Sequence, residues 1–356
     1  MQTNLKKIVY FTPTPKVLVW GFTIVAAVAA MVFFYFFNRG TPQIEVSPDV
    51  RERLEREQPT LSQNEEEYFS LLEQSAISGG PPKDGIPSVD SPKYTSAVEA
   101  DEWLLPNDVV FGLEYEGFIA AYPQRILVWH EIVNETIGGQ KVTVTYCPLT
   151  GTTIGFKGRY ASDISAEFGV SGKLVNSNLI MYDRVSDSYW PQILGKAING
   201  PAQGIKLKEF PIVWTTWVKW KRAHPNTLVL SRDTGFFRNY GEGGDPYGSY
   251  ILDNGGYYSS DRMLFRPIYE DDRLRPKEVV VGLRDEEGNA LAVLKNKLRE
   301  EKVIEAPLGD ATVVVTYDDS LDFYEARIKE TNKWINAFDA MWFAWFAFYP
   351  HTKLID

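Results

Sequence analysis

One cysteine, three histidines and a single apolar run long enough to cross a bilayer are all that 356 residues supply of those features. Each scarcity excludes something. One cysteine cannot form a disulfide within its own chain, so Cys147 is buried and inert, bound to a metal, reactive, or joined to another chain. Zinc would want more ligands than one thiol and the imidazole predicted beside it. No stretch is basic and aromatic enough to suggest nucleic acid as a partner, and the net charge of −10 mainly implies solubility.

The apolar run is Val17–Phe37, "VLVWGFTIVAAVAAMVFFYFF". About 21 uncharged residues can span a bilayer as a helix. Lys6, Lys7 and Lys16 precede it and only Arg39 follows closely, which places residues 1–16 in the cytoplasm and the body outside. The expectation is a single transmembrane helix at 17–37 in the cell (inner) membrane, with the lipid bilayer as partner. A cleaved signal peptide is the alternative, but no clear small-x-small site follows. No cysteine lies near the run to carry a lipid. Outside the cytoplasm cysteines usually pair, which sharpens the question of what a lone Cys147 does.

After the run, residues 38–85 read as a stalk with short helices. Ser47-Pro48 suggests an N-cap followed by proline at the first helical position. Ser62 and Glu65 have capping-box spacing, predicting a helix to about Gln74. "SGGPPKDG" at 78–85 is a break. The body, 86–356, contains an internal repeat. "PNDVVFGL" (106–113) recurs as "PKEVVVGL" (276–283), "KVTVTYC" (141–147) as "ATVVVTYD" (311–318), and "WVKWKRAHPNT" (217–227) as "WFAWFAFYPHT" (342–352). The expected units are 86–273, with an inserted middle section at roughly 155–210, and 274–356, truncated. Between them lies a Gly- and Tyr-rich segment, "NYGEGGDPYGSYILDNGGYYSS", read as a structured loop on its turn residues. The whole reads as α+β: two related β-rich units with a few helices behind the membrane helix.

Gly138-Gly139 between β-prone runs signals a two-residue hairpin. Extended, its register puts Ile137 opposite Gln140, Asn134 opposite Thr143 and His130 opposite Cys147, close enough for thiol and imidazole to touch. One face, with Val133, Ile137, Val142, Val144 and Tyr146, looks like core; Cys147 falls on the other, polar face. In the second copy Cys147 maps to Asp318 and His130 to Glu301, so the scaffold is kept without the pair. Glu301 opposite Asp318 would be an unfavourable like-charge pair, which argues against a simple extension of the register there. His224 maps to Tyr349, which favours a structural role. His351 has nothing to pair with. Asn134-Glu135-Thr136 is a glycosylation sequon inside a predicted strand.

These residues resemble domain-of-unknown-function family 3179. The resemblance rests on "GIPSVDSPKYTSAVEADEWL" (85–104), "AAYPQRILVWHEIVNETIGG" (120–139), "VTYCPLTGT" (144–152), "FGVSGKLVNSNLIMYDRVSDSYWPQILGKAINGP" (168–201) and "HPNTLVLS" (224–231). It implies an exported or membrane-tethered protein and no particular activity. Members often have Cys-Pro-Leu-Cys where this chain has Cys147-Pro148-Leu149-Thr150, so a two-cysteine redox or metal motif is not expected to be essential here.

Three functions compete. In the first, Cys147 is a nucleophile, His130 lowers its pKa or takes its proton, and an acid such as Asp183 orients the histidine. Glu131 is a rival orienter, but it points to the opposite strand face. Ser171, Asn176, Asn178, Tyr182, Arg184 and Trp190 of the insertion would then wall a substrate site, the bland alternative being turn chemistry and surface charge. In the second, Cys147, His130 and the Met181 thioether form a soft ligand set suited to copper and electron transfer. In the third, the pair is incidental and the protein is a binding or scaffolding module of a membrane complex. The apolar run at 335–349 then reads as a core helix that could dock on a protein partner or a membrane surface.

Overall fold

The computed structural model describes residues 44–248 and 256–356. It corrects the expected α+β class: the described residues are mostly β-sheet, in five sheets, with 17% helix. The reason lies in helix length. Among the described residues, helices outside Pro48–Glu57 and Gln63–Gln74 run only four to seven residues. Helices that short are marginal alone and act as connectors between strands that hold them. The candidate membrane segment 17–37 lies outside the described residues, and among the described residues no helix is long and apolar enough to cross a membrane.

Helix Gln63–Gln74 begins on the capping box read from sequence. Ser62 Oγ accepts from Glu65 N–H at 3.3 Å, and Ser62 N–H donates to Glu65 Oε2 at 3.1 Å. Each partner satisfies a backbone or side-chain group that the helix end would otherwise leave open.

The body uses one strand plan twice. Val109–Tyr115 and Phe118–Pro123 form a hairpin, flanked by antiparallel Val213–Thr216 and by parallel Leu228–Leu230. Val279–Arg284 and Ala290–Leu294 do the same, flanked by antiparallel Ala337–Met341 and parallel Lys353–Ile355. A second sheet per copy follows. Ile132–Ile137, Gln140–Cys147 and Thr152–Lys157 end on Glu209–Phe210; Val303–Leu308, Ala311–Asp318 and Phe323–Ile328 end on Trp334–Ile335. A short helix closes each plan, Trp217–Ala223 in one and Trp342–Phe348 in the other.

The shared tryptophans have a physical cause. A Cβ placed on Gly112 would lie 2.2 Å from the Trp220 ring, and one on Gly282 2.2 Å from the Trp345 ring. Each glycine lets an indole lie against its strand. Trp220 Nε1 donates to Thr227 Oγ1 at 3.0 Å, and Trp345 Nε1 to Thr352 Oγ1 at 2.9 Å, so the repeated Trp and Thr form one buried unit. His224 and Tyr349 stack on those indoles at 4.1 and 4.6 Å, and His224 Nε2 lies 3.1 Å from Glu114 Oε1.

The insertion forms its own sheet, with Phe168–Val175 and Asn178–Asp183 at its centre and Ile77–Ser78 and Tyr189–Pro191 at its edges. Asn176 and Ser177 turn the central hairpin with φ of 53° and 60°, the left-handed pair a two-residue turn needs. The segment 335–349 is divided between strand Ala337–Met341 and helix Trp342–Phe348. Trp342, Phe343, Trp345 and Phe348 are all buried, so the apolar face read as a possible dock is covered by this chain's own core.

Candidate functional site

The Gly138-Gly139 hairpin forms in the register read from sequence, but only as far as Ile132 opposite Thr145. There the chain turns. Glu131 adopts φ +58° and its carbonyl accepts Tyr146 N–H at 2.7 Å, while Ile132 N–H folds back on the His130 carbonyl at 2.6 Å. Lys302 does the same in the second copy, with φ +66° and its carbonyl accepting Tyr317 N–H at 2.8 Å. The left-handed residue is therefore part of the strand plan. It puts His130 and Glu301 outside the ladder, which removes the like-charge opposition of Glu301 and Asp318 and separates the histidine from the thiol.

His130 is engaged elsewhere. Its Nδ1 lies 2.7 Å from the Pro87 carbonyl and its Nε2 2.5 Å from the Tyr240 hydroxyl. A carbonyl only accepts, so Nδ1 carries the proton and Nε2 accepts from Tyr240. Burial holds the imidazole pKa below its usual range, and this ring is neutral. Tyr240 also meets Thr234 Oγ1 at 2.7 Å. His130 thus fastens the 234–240 segment to the body. The thiol–imidazole pair behind both the nucleophile and the copper set with Met181 is not formed; Met181 itself is buried in its strand. Among the described residues no group of three or more His, Cys, Asp or Glu could hold a metal ion.

Cys147 is 1% exposed. Its Sγ lies 3.7 Å from the Ser177 carbonyl and accepts Leu179 N–H at 3.4 Å. Burial, and then the nearby Glu131 carboxylate, push the thiol up to about 11, against the pull of Thr150 and Leu179. Glu131 is itself fully buried and pushed up to about 8 by desolvation. The ionisable group that acts on the thiol is Glu131, which strand alternation had set aside. Tyr247 and Tyr257 cover the pair, their phenols raised first by burial and further by Cys147. Tyr257 Oη donates to the Leu149 carbonyl at 2.8 Å, and Tyr146 and Tyr258 hydroxyls meet at 3.3 Å. Tyr257 and Tyr258 thus roof the Cys147 loop and the strand that leads to it.

The insertion residues are satisfied within the fold. Asp183 accepts from the backbone N–H groups of Val185 and Ser186 at 3.0 and 2.6 Å, from Tyr160 Oη at 3.1 Å and from Trp190 Nε1 at 3.1 Å. It builds the 183–188 turn and orients no histidine. Ser171 Oγ donates to the Ile180 carbonyl, Asn176 bridges the Ala347 carbonyl and Ile268 N–H, Tyr182 bonds Asp84, and Arg184 binds Asp90 and Ser88. Asn178 belongs to a buried network that sequence reading missed. Its Nδ2 donates to Thr150 Oγ1 at 3.1 Å and to Gln192 Oε1 at 3.0 Å, and Gln192 Nε2 donates to Thr145 Oγ1 at 2.8 Å. Each of these six predicted substrate contacts has a hydrogen-bond partner within the fold. They are turn and sheet chemistry.

A space does open on the other side of the Cys147 loop. Gly151 and Met341 form part of the wall of a cavity of about 560 Å³ between the two copies of the strand plan, where Met341 N–H donates to the Thr150 carbonyl at 2.8 Å. Four cations line it, Arg275, Lys277, Lys295 and Arg299, together with the carboxylates Asp261, Glu278 and Asp339. Three of the cations have carboxylates. Arg275 meets Asp261 at 3.0 Å, Arg299 meets Asp322 at 2.8 Å, and Lys295 is buried in contact with Asp339, which also accepts from Tyr324 Oη at 2.8 Å. Lys277 differs. Its Nζ lies 3.2 Å from the centroid of the Tyr257 ring and donates to the Tyr257 carbonyl; among the described residues it has no carboxylate within ion-pair distance. Desolvation pushes its ammonium down to about 8, partly opposed by Asp261.

A family model described as "Protein of unknown function (DUF3179)" matches residues 83–352. The chain belongs to this family. No curated protein and no solved structure matches the chain. The match spans the Cys147 loop, the insertion, the tyrosine roof and nearly all of the second copy, so the cavity and the buried thiol both lie inside the family's domain. Thr150, where members often carry a second cysteine, sits beside the Cys147 thiol.

Proposed function

We propose that this family member is a binding module for a small anionic ligand, held in the cavity between the two copies of its strand plan. The observation that carries the reading is the cavity wall: four cations line one cleft, and one of them, Lys277, has no carboxylate within ion-pair distance among the described residues. A few convergent polar groups in an apolar-floored cleft are the usual mark of a ligand site, and guanidinium and ammonium groups in such a cleft favour carboxylate or phosphate. Asp261, Glu278 and Asp339 share the wall with these cations, so the reading rests on Lys277 being the one cation that no carboxylate holds among the described residues.

Thiol catalysis fits the geometry less well. A nucleophilic cysteine needs a depressed pKa and access, and Cys147 has neither. The copper reading loses its imidazole.

Isothermal titration calorimetry of the full chain with citrate, phosphate and sulfate tests the proposal. At least one anion should bind saturably, more weakly at high salt. Arg275→Ala or Lys277→Met should each weaken it by about tenfold, as loss of one charge-assisted hydrogen bond of roughly 1.5 kcal/mol implies. No saturable heat with any anion, or affinity unchanged in both variants, would contradict it.

A further inference from the structure

We propose that the ligand of this cavity is a small anion carrying an aldehyde or ketone, and that Lys277 forms an imine with it. This deepens the anion-binding reading and rests on it.

The argument begins with division of labour in the wall. Arg275, Lys295 and Arg299 are held by Asp261, Asp339 and Asp322. An ammonium clamped to a carboxylate stays protonated and has no lone pair to offer. Lys277 is held only by the Tyr257 carbonyl and ring face. Both contacts suit an ammonium but neither carries a full negative charge; desolvation of the half-buried amine opposes the charged form, and Asp261 on the same wall only partly offsets it. An amine in this state is the usual starting point for carbonyl chemistry. The neighbouring guanidinium groups would hold the anionic end of the ligand and bring its carbonyl to Lys277. The second copy alone supplies the amine: "PKEVVVGL" has Lys277 where "PNDVVFGL" has Asn107. The strand plan therefore does not require a lysine there.

The step balances without a redox partner. The neutral amine nitrogen attacks the carbonyl carbon, forming a C–N bond. The two protons lost by the nitrogen pass to the carbonyl oxygen, which leaves as water as the C–O bond breaks, and the C=O bond is replaced by C=N. Hydrolysis reverses it.

The test uses the full chain with pyruvate as probe and lactate as its control, since lactate keeps the carboxylate and lacks the carbonyl. Protein is incubated with pyruvate and sodium cyanoborohydride at pH 7.5, and each lysine's reduced adduct is followed by peptide mass spectrometry. The expected result is labelling at Lys277 at least tenfold faster than at any other lysine among the recovered peptides, slowed by excess lactate and abolished in Lys277→Arg. Lys277→Met is the second variant, and a native circular dichroism spectrum shows that each variant is folded. Saturable lactate binding by calorimetry with no preferential label at Lys277 would overturn the imine and leave anion binding standing. Neither binding nor preferential labelling would overturn both.

Discussion

At pH 7 a thiol pushed up to about 11 is ionised in about one molecule in ten thousand. Relative to the ordinary thiol value of 9.0, two units mean that iodoacetamide should alkylate Cys147 in the native protein about 100-fold more slowly than in guanidinium. His130→Gln should leave the native rate unchanged, because His130 is bonded to Pro87 and Tyr240. A native rate near the denatured one, or one that falls in the variant, would restore the thiol–imidazole reading. Glu131 provides a second residue-scale outcome. The folded protein holds its proton more tightly than the unfolded chain, about 8 against 4.5. Between those values the unfolded state binds fewer protons, so stability falls as pH rises through that window. Glu135, buried against the Tyr122 hydroxyl at 2.8 Å and also about 8, adds to the same slope. Glu131→Gln should flatten the slope, with the variant gaining on the native chain by a few kcal/mol between pH 5 and pH 8. Urea midpoints at the two pH values measure it.

Elements show what the sequence carries and what it hides. The Gly138-Gly139 turn, the Ser62 capping box and the repeated Trp-to-Thr pattern were readable because each depends on a local rule: left-handed freedom, a three-residue spacing, a recurring packing unit. The left-handed turn at Glu131 was not readable, since neither Glu nor Lys advertises positive φ, and it is what misplaced His130. The polar residues of the insertion looked like a site because side-chain chemistry alone does not say whether a partner is a ligand or the fold. Partners such as Ala347, Asp84 and Asp90 come from distant stretches. The cavity was hidden for a similar reason, as its wall draws on Gly151, Lys277 and Lys295 together. The glycine–indole contacts give a test at this scale. Gly112→Ala and Gly282→Ala each drive a methyl into a buried ring, and each should cost at least about 1–3 kcal/mol by overpacking. Unfolding midpoints unchanged in either variant would count against that packing.

The two copies are joined as one body. Arg284 of the second copy binds Glu209 of the first at 2.5 Å, both nearly inaccessible, and Asn336 Nδ2 donates to Glu209 Oε2 at 2.7 Å. Removing one partner of a buried pair leaves the other charge uncompensated, typically at a cost of about 3–5 kcal/mol. Glu209→Ala should therefore lower stability by that order, or split thermal unfolding into two transitions in calorimetry. A single transition at the native temperature would mean that the clamp contributes little. A separate part of the junction between the copies, lined by Gly151 and Trp214 of the first and Lys277 and Lys295 of the second, holds the cavity, so ligand should raise the native melting temperature as mass action requires.

The central claim, that this junction is an anion site with Lys277 at its wall, is tested most directly by a crystal structure of the full chain soaked in citrate. Density bridging Arg275 and Lys277 inside the cavity is the expected result. A cavity holding only water at saturating citrate, or citrate bound solely elsewhere, would contradict it.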